Sequence, residues 1–343
     1  MLLVLLVASA ACADFLAPYP PDDQQRDYPF APPSQIHFKD AQGHWQWPPR
    51  VFPLKPIDEQ SRLYTQDPSQ SFPLKFWSRG ASYRWLGIFP TDVHLLSVDD
   101  PARLFVLGSD GLGRDVWARV LYGARLSLLI AAAALLLVLP LALIVGGVAG
   151  FYGGWADFLL MRLAELFLAL PALYLVIALR SALPLSLEPE QVFGALVLVI
   201  GLLGWAHLAR LARALVLSLR RREFVAAALA MGATDGWVMR RHILPQLAGF
   251  TLTQAALAAP GYILAEVTLS YLGLGVPEPL PSWGNMLAGA QNVQTLSNYW
   301  WNLAPAVAVF LTSLTFYLLA EGLKDLFDPR AAEAAATQRE WSA

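Results

Sequence analysis

The stretch that decides the fold is Leu126–Ala156, LSLLIAAAALLLVLPLALIVGGVAGFYGGWA, which lies between Arg125 and Asp157 and contains no charged residue. A helix needs about 20 mostly apolar residues to cross a bilayer core of about 30 Å. This stretch is longer than that requirement. It therefore predicts a helix that spans a membrane.

The composition of the whole chain points the same way. Of the 343 residues, 56% are hydrophobic and 15% are charged, and the mean hydropathy is +0.47. Soluble domains have about 45–50% apolar and about 25% charged residues. The apolar content excludes intrinsic disorder, and the single cysteine excludes a disulfide scaffold. A net charge of -2 argues against a nucleic-acid-binding protein.

Later parts of the chain contain further candidate spans, two of which include a glutamate, Glu165 or Glu266. These stretches are bounded by charged or polar residues and are long enough to cross a bilayer. They run from Arg162 to Arg180, from Glu190 to Arg210, from Gln246 to Ser270 and from Trp301 to Ala320.

The N-terminal residues Met1–Ala13 are uncharged but too short to span a bilayer by themselves. They lack the basic lead-in of a secretory signal, although Ala8–Ala13 has the small residues of a cleavage site. We interpret residues 1–17 as a first transmembrane helix, with a cleaved signal as the alternative. The sequence thus predicts an all-α multi-pass membrane protein with about six transmembrane helices.

The distribution of Lys and Arg predicts the orientation of these helices. Residues 210–241 are rich in arginine, whereas 181–191 and 271–300 contain neither Lys nor Arg. Short loops rich in Lys and Arg remain in the cytoplasm. Residues 210–241 and the tail 326–343 are therefore expected inside, and the long segment 18–112 is expected outside.

Part of the external segment has the pattern of β structure. Ile36–Lys39 and His44–Trp47 alternate roughly between polar and apolar residues on either side of Asp40–Gly43. This pattern predicts a β-hairpin. Further on, Val116–Arg125 has apolar residues at helical spacing with arginines between them, which predicts a separate amphipathic helix at the outer interface.

The arginine-rich segment contains two predicted short helices. Glu223–Met231 is a strong helix former, and Gly232 interrupts it. A side chain at Gly232 is expected to meet both helix backbones or to force a positive φ. Thr234 is a candidate N-cap for a second helix, with Asp235 in its first turn. One interpretation is a loop that only fixes topology, and the other is a docking element for a cytoplasmic partner.

A second segment with a distinctive composition is Leu272–Trp283, LGLGVPEPLPSW, between the last two candidate spans. Its prolines and glycines forbid a regular helix and predict a folded external turn. Glu266 is expected just beneath it, either lining a pathway or hydrogen-bonding to the turn. Glu165 is expected to pair with Arg162, three residues earlier on the same helix.

The chain lacks the residue patterns of common catalytic sites. It contains no G-x-x-x-x-G-K-[ST] phosphate loop, no G-x-S-x-G element and no HExxH. Its five histidines show no metal-ligand spacing. We therefore expect that the chain is not an enzyme and holds neither a metal nor a cofactor.

Five stretches, in order along the chain, resemble one known family. The segment 223–245 resembles the E-A-A-x-x-x-G loop of permeases from binding-protein-dependent ABC importers. Within them the chain is most similar to the second permease, the dipeptide-permease C type, of dipeptide, oligopeptide and nickel importers. The matching stretches are GSDGLGRDVWARVLYGARLSL (Gly108–Leu128), REFVAAALAMGATD (Arg222–Asp235), RHILPQ (Arg241–Gln246), AEVTLSYLGLGVPEPLPSWGNML (Ala265–Leu287) and EGLKDLFDPR (Glu321–Arg330).

The resemblance implies an ABC importer transmembrane domain over 113–325, with an ATPase-coupling loop at 210–246, in the bacterial inner membrane. It implies half of a peptide pathway, shared with a homologous permease. It also implies two cytoplasmic ATPase subunits that bind ATP and Mg, an external solute-binding protein and the lipid bilayer as partners. The family usually has Glu where this chain has Ala226, which puts that carboxylate's role in doubt here. The coupling residues are expected to be Glu223, Ala226, Ala227, Ala228, Gly232, Ala233, Asp235, His242, Ile243, Leu244 and Pro245, and the pathway or gate residues Glu266, Tyr271, Pro281 and Trp283.

Other functions remain open from the sequence. The same class of transporter imports nickel or other small solutes, and specificity there is set largely by the separate binding protein. A channel or ion-coupled transporter needs polar residues at mid-membrane, and these spans have few. A simple membrane anchor for the external segment does not account for the two predicted cytoplasmic helices.

Overall fold

The computed structural model describes residues 1–39, 44–57, 62–67, 69–85, 87–182, 184 and 188–327. The described chain divides into two compact units. Unit 1 comprises Met1–Leu129 and Glu266–Leu311, and unit 2 comprises Ile130–Ala265 and Thr312–Ala343.

Unit 1 contains all the β structure among the described residues. Three small antiparallel sheets are formed, with strand orders β1–β2–β5, β3–β4 and β6–β7. The predicted hairpin is confirmed, because Ile36 pairs with Val51 and Lys39 with Trp45, while its turn at 40–43 lies outside the described residues. The strands are β1 (Ile36–Lys39), β2 (Trp45–Val51), β3 (Leu54–Pro56), β4 (Tyr64–Gln66), β5 (Phe72–Pro73), β6 (Lys75–Trp85) and β7 (Phe89–Ser97).

The helices of the chain follow a simple order. The N-terminal helices are α1 (Leu2–Ala11) and α2 (Ala13–Leu16). The others are α3 (Val116–Tyr152), α4 (Gly154–Ala169), α5 (Ala172–Ser181), α6 (Pro189–Arg220), α7 (Glu223–Ala230), α8 (Asp235–Val238), α9 (Leu247–Tyr271), α10 (Trp283–Gly289), α11 (Val293–Asn298) and α12 (Ala304–Phe327).

Four helical stretches have the length and composition to cross a membrane: Val116–Tyr152, Pro189–Arg220, Asp235–Tyr271 and Trp300–Phe327. A fifth span results if α4 and α5, which meet at a bend of 87°, count as one. The predicted straight span from Arg162 to Arg180 is therefore wrong. Pro171 lies at the bend and has no N–H to continue the hydrogen bonds of α4.

Two further boundaries differ from the prediction. Val116–Arg125 is no separate amphipathic helix but the first part of the continuous α3. Helix α6 continues past Arg210 to Arg220, because charged residues leave a membrane core without ending a helix. Helix α1 has ten residues, fewer than a span needs, so the described spans number four or five instead of about six.

Helices α3 and α6 pack closely within unit 2. Gly146 and Gly150, one turn apart on α3, face the α6 backbone, and a Cβ at Gly146 would lie 2.3 Å from the Ala209 carbonyl oxygen. Small residues at this spacing let helices in a membrane approach closely. Arg213 on α6 also forms an ion pair with Asp157 on α4. The helices of unit 2 therefore form a tightly packed bundle.

Candidate functional site

Two regions contain the residues that the sequence singled out. The first, the helical knob (Glu223–Ile243), lies in unit 2, and the second, the outer turn (Leu272–Ser282), lies in unit 1. The predicted ion pair elsewhere in unit 2 is also present, since Arg162 Nη1 donates to Glu165 Oε2 at 2.8 Å.

Gly232 ends the first helix of the knob through its backbone conformation. Its φ is +88°, its N–H donates to the Leu229 carbonyl at 3.0 Å, and the Ala233 N–H donates to the Ala228 carbonyl at 3.0 Å. This is a Schellman motif, in which glycine adopts the left-handed conformation at low cost. A Cβ at Gly232 would have nothing within 4 Å. The positive φ was predicted correctly, and the clash with two backbones was not.

The second helix of the knob begins as predicted. The Thr234 hydroxyl accepts a hydrogen bond from the Trp237 N–H at 3.4 Å and thereby caps α8. A π-helical turn, Met239–Ile243, and a 3-10 turn, Leu244–Gln246, then lead into α9. Thus the chain reaches the next span without leaving helical geometry.

A buried apolar cluster holds the knob on the ends of the spanning helices. Val225 and Ala228 of α7 and Val238 of α8 contribute from the knob. Phe151 on α3, Val216 and Leu219 on α6, Ile243 on the π-helical turn and Leu247 on α9 complete the cluster. Because interiors of this kind are close-packed, motion of the knob is transmitted to three spanning helices.

The outward side of the knob is an apolar groove of about 600 Å³. Met231, which is 83% exposed, and Trp237, which is 50% exposed, contribute large apolar surfaces. His242 lies between two aromatic rings, 5.7 Å from Phe224 and 5.1 Å from Trp237. A contiguous apolar surface of this kind marks an interaction site. The complete lining is Phe224, Ala228, Met231, Gly232, Ala233, Thr234, Trp237 and His242.

The predicted coupling residues divide into three groups by burial. Ala228 and Ile243 are buried in the apolar cluster, and His242 and Ala233 are half-buried. The exposed ones are Glu223, Ala226, Ala227, Gly232, Asp235, Leu244 and Pro245. Sequence reasoning missed Met231 and Trp237, which form much of the groove. Their signal was a pair of large apolar residues in a segment predicted to lie in the cytoplasm.

The outer turn is folded, as predicted, and Glu266 holds its base. The Glu266 side chain is fully buried and accepts hydrogen bonds from the hydroxyls of Ser127 and Ser270, each at 2.7 Å. The Ser282 hydroxyl is a further hydrogen-bond partner of this carboxyl group. Ser270 Oγ in turn accepts from the Val276 N–H at 3.2 Å. Of the two alternatives for Glu266, this geometry favours the hydrogen-bonded anchor.

Trp283 fixes the far end of the outer turn. Its ring is fully buried, and its Nε1 donates to the Val120 carbonyl at 3.0 Å. Ser282 and Asn285 form a reciprocal capping box at the start of α10. Of the other predicted gate residues, Pro281 is buried and Tyr271 is exposed.

A cluster of four charges attaches the outer turn to the start of α3. Glu278 accepts from Arg114 at 2.7 Å and from Arg119 at 3.0 Å, and Asp110 accepts from Arg114 Nε at 2.7 Å. Arg119 is only 1% exposed. These residues adjoin a cavity of about 200 Å³ in unit 1. Sequence reasoning missed the cluster, because its members lie far apart along the chain.

Buried Asp115 caps α3 beside this cluster. It accepts hydrogen bonds from the N–H groups of Trp117 and Ala118 at 3.2 and 3.3 Å. Burial raises the pKa of the Asp115 carboxyl from 3.8 to about 7, and the Asp110 charge raises it further, while the two N–H donors lower it. The start of the first long span therefore contains a group that titrates near neutral pH.

Comparison with known proteins agrees with this arrangement. Residues 139–333, more than half of the chain, match the family model described as "Binding-protein-dependent transport system inner membrane component". The oligopeptide transport system permease protein OppC of Bacillus subtilis is 37% identical over 239 residues, covering 69% of this chain and 76% of the relative.

Two other relatives are similar over comparable lengths. The dipeptide transport system permease protein DppC of Bacillus subtilis is 38% identical over 224 residues, covering 65% of this chain and 68% of its own. The OppC protein of Haemophilus influenzae is 36% identical over 224 residues, with 65% and 70% covered. With its spanning helices and its helix–glycine–helix knob, the chain belongs to the inner membrane components of binding-protein-dependent transport systems, the permease subunits of ABC importers, and is a multi-pass inner-membrane protein.

Proposed function

We propose that this permease forms half of the transmembrane pathway of a peptide importer, together with a homologous second permease. The relatives named as oligopeptide and dipeptide permeases support this substrate class. An external solute-binding protein delivers the peptide, and two cytoplasmic ATPase subunits bind ATP and Mg. The chain itself holds no cofactor in this proposal.

The observation that carries the coupling part of the proposal is the apolar groove of the knob. Lipid does not need to cover it, because the arginine-rich segment around it is predicted to lie in the cytoplasm. Arg220, Arg221, Arg222, Arg240 and Arg241 are exposed near the groove. An apolar groove with a charged surround is typical of a protein–protein interface. The partner that fits is an ATPase subunit, with Met231 and Trp237 as anchors.

The packing of the knob suggests how ATP hydrolysis drives transport. Closure of the two ATPases rotates the knobs seated on them. Because Val225 and Val238 pack against Phe151, Val216 and Leu247, the rotation reaches the ends of α3, α6 and α9. Rigid-body motion of these helices then alternates the pathway between inward-open and outward-open states.

Variants of the groove test the coupling. Met231→Asp and Trp237→Ala should reduce ATPase co-purification, because truncation of such anchors costs about 2 kcal/mol or more at an interface. Ala227→Arg, beside the groove, should act likewise. Ala226→Glu is the matched control, since Ala226 is exposed on α7 but does not line the groove. Normal complex yield and peptide uptake in both groove variants would contradict the coupling role.

The substrate class needs a separate measurement. Proteoliposomes with the assembled complex and its binding protein should accumulate labelled dipeptides or oligopeptides in an ATP-dependent manner. Uptake of nickel or another small solute in place of peptide would overturn the peptide assignment. It would leave the coupling role of the knob untouched.

A further inference from the structure

The hairpin formed by β6 and β7 has an apolar tip that the permease function does not explain. The tip is Trp85–Phe89, WLGIF, where Trp85 pairs with Phe89 across the hairpin. Ile88 is 70% exposed and Phe89 is 59% exposed. Exposed apolar side chains grouped in this way mark a contact with another apolar surface.

The contacts of the hairpin with α1 and α2 show which way the tip points. Near the hairpin base, the Trp77 ring lies 5.0 Å from that of Phe15, and His94 Nδ1 lies 2.8 Å from the Ala17 carbonyl oxygen. At the tip, Trp85 Nε1 donates to the Ala11 carbonyl at 3.2 Å. From base to tip, the contacts thus pass backward along the chain toward α1.

Arg125 sets the level of the tip relative to the membrane. Its guanidinium donates to the Ala10 and Ala11 carbonyls at 3.0 and 3.1 Å, and it pairs with Asp14 at 2.6 Å. Arg125 is also the last charged residue before the uncharged stretch of α3. The Ala11 carbonyl, and with it the Trp85 indole, therefore lies at the boundary of the apolar layer.

On the membrane side of that boundary, the surface beside the tip is apolar as well. Helix α1 contains no charged side chain, and Val4 and Leu5 are 70% and 59% exposed. Arg84, directly before the tip, is exposed. Tryptophan is enriched at the lipid headgroup level, and arginine there binds phosphate groups. The order Arg84, Trp85, apolar tip matches the layers of a bilayer surface.

We propose that the Trp85–Phe89 tip inserts into the adjacent leaflet of the phospholipid bilayer beside α1. Trp85 lies at the headgroup level, Arg84 contacts lipid phosphates, and Ile88 and Phe89 lie among the upper acyl chains. The hairpin thereby anchors the external β-rich segment to the membrane surface.

A fluorescent probe at the tip tests this proposal in the full assembled complex. In a Cys12→Ala background, which removes the one native cysteine, Ile88→Cys is labelled with a nitrobenzoxadiazole maleimide. Trp45→Cys, at an equally exposed position in β2, is the matched control. Both are reconstituted into nanodiscs of phosphatidylcholine and phosphatidylglycerol, with or without doxyl-labelled lipid.

The probe at position 88 should show blue-shifted emission and several-fold stronger quenching by shallow doxyl lipid than the probe at position 45. Iodide in the buffer should quench position 45 several-fold more strongly than position 88. Equal iodide quenching at both positions, with no effect of doxyl lipid, would overturn the proposal. Protection of position 88 from both quenchers would also overturn it, because a protein partner would then cover the tip.

Discussion

Removing the titrating group at the start of α3 should remove a pH dependence of stability. Asp115 is 3% exposed, and its pKa is raised to about 7 in the folded protein. Its ordinary value is 3.8. Between these two values the unfolded chain has lost the proton while the folded chain retains it. The stabilisation is fully present below pH 3.8 and is lost as the pH rises to about 7.

The size of the effect follows from the two pKa values. A difference of about 3 pH units corresponds to roughly 4 kcal/mol in total, at 1.36 kcal/mol per unit. Within the range that the folded protein tolerates, the free energy of unfolding should fall by about 2 kcal/mol between pH 5.5 and 7. Above pH 7 the contribution of Asp115 should level off.

Thermal unfolding of the detergent-solubilised permease between pH 5 and 8 measures this effect. In Asp115→Asn the side-chain oxygen can still cap α3, but the group no longer titrates, so the fall in melting temperature toward pH 7 should be much smaller than in the wild type. Asp22→Asn, at an exposed position, is the control and should keep the wild-type profile. Identical pH profiles for the wild type and Asp115→Asn would refute the reasoning.

Three other substitutions have expected outcomes. Gly232→Asp should leave the chain in the membrane but lower ATPase co-purification and uptake, because a left-handed backbone costs other residues about 1–2 kcal/mol; Gly236→Ala, without a positive φ, is the control, and equal losses in both would contradict the reasoning. Glu266→Gln should reduce complex yield or uptake by weakening the serine hydrogen bonds, and wild-type values for both would exclude an anchor. Glu278→Ala should destabilise the permease by roughly 1–3 kcal/mol in thermal unfolding, since buried Arg119 loses its partner; an unchanged melting temperature would exclude that role.

Properties that depend on neighbouring residues could be predicted from the sequence. The uncharged run after Arg125 specifies a span wherever it is placed, because hydropathy acts over about 20 consecutive residues. Gly232 and Thr234 end one helix and begin the next through hydrogen bonds to residues no more than five positions away. The same locality explains why the hairpin at Ile36–Val51 was predicted correctly.

Only the tertiary structure decided the features that depend on distant partners. Arg119 has helical spacing typical of a surface residue, yet it is buried because Glu278, 159 residues later, hydrogen-bonds to it. Glu266 could line a pathway or anchor a turn, and the approach of Ser127 on another helix favours the anchor. The Trp85 indole reaches Ala11 across 74 residues. A local sequence pattern specifies which side chains are polar or apolar, but the free energy of burying a charge depends on partners that only folding brings into contact.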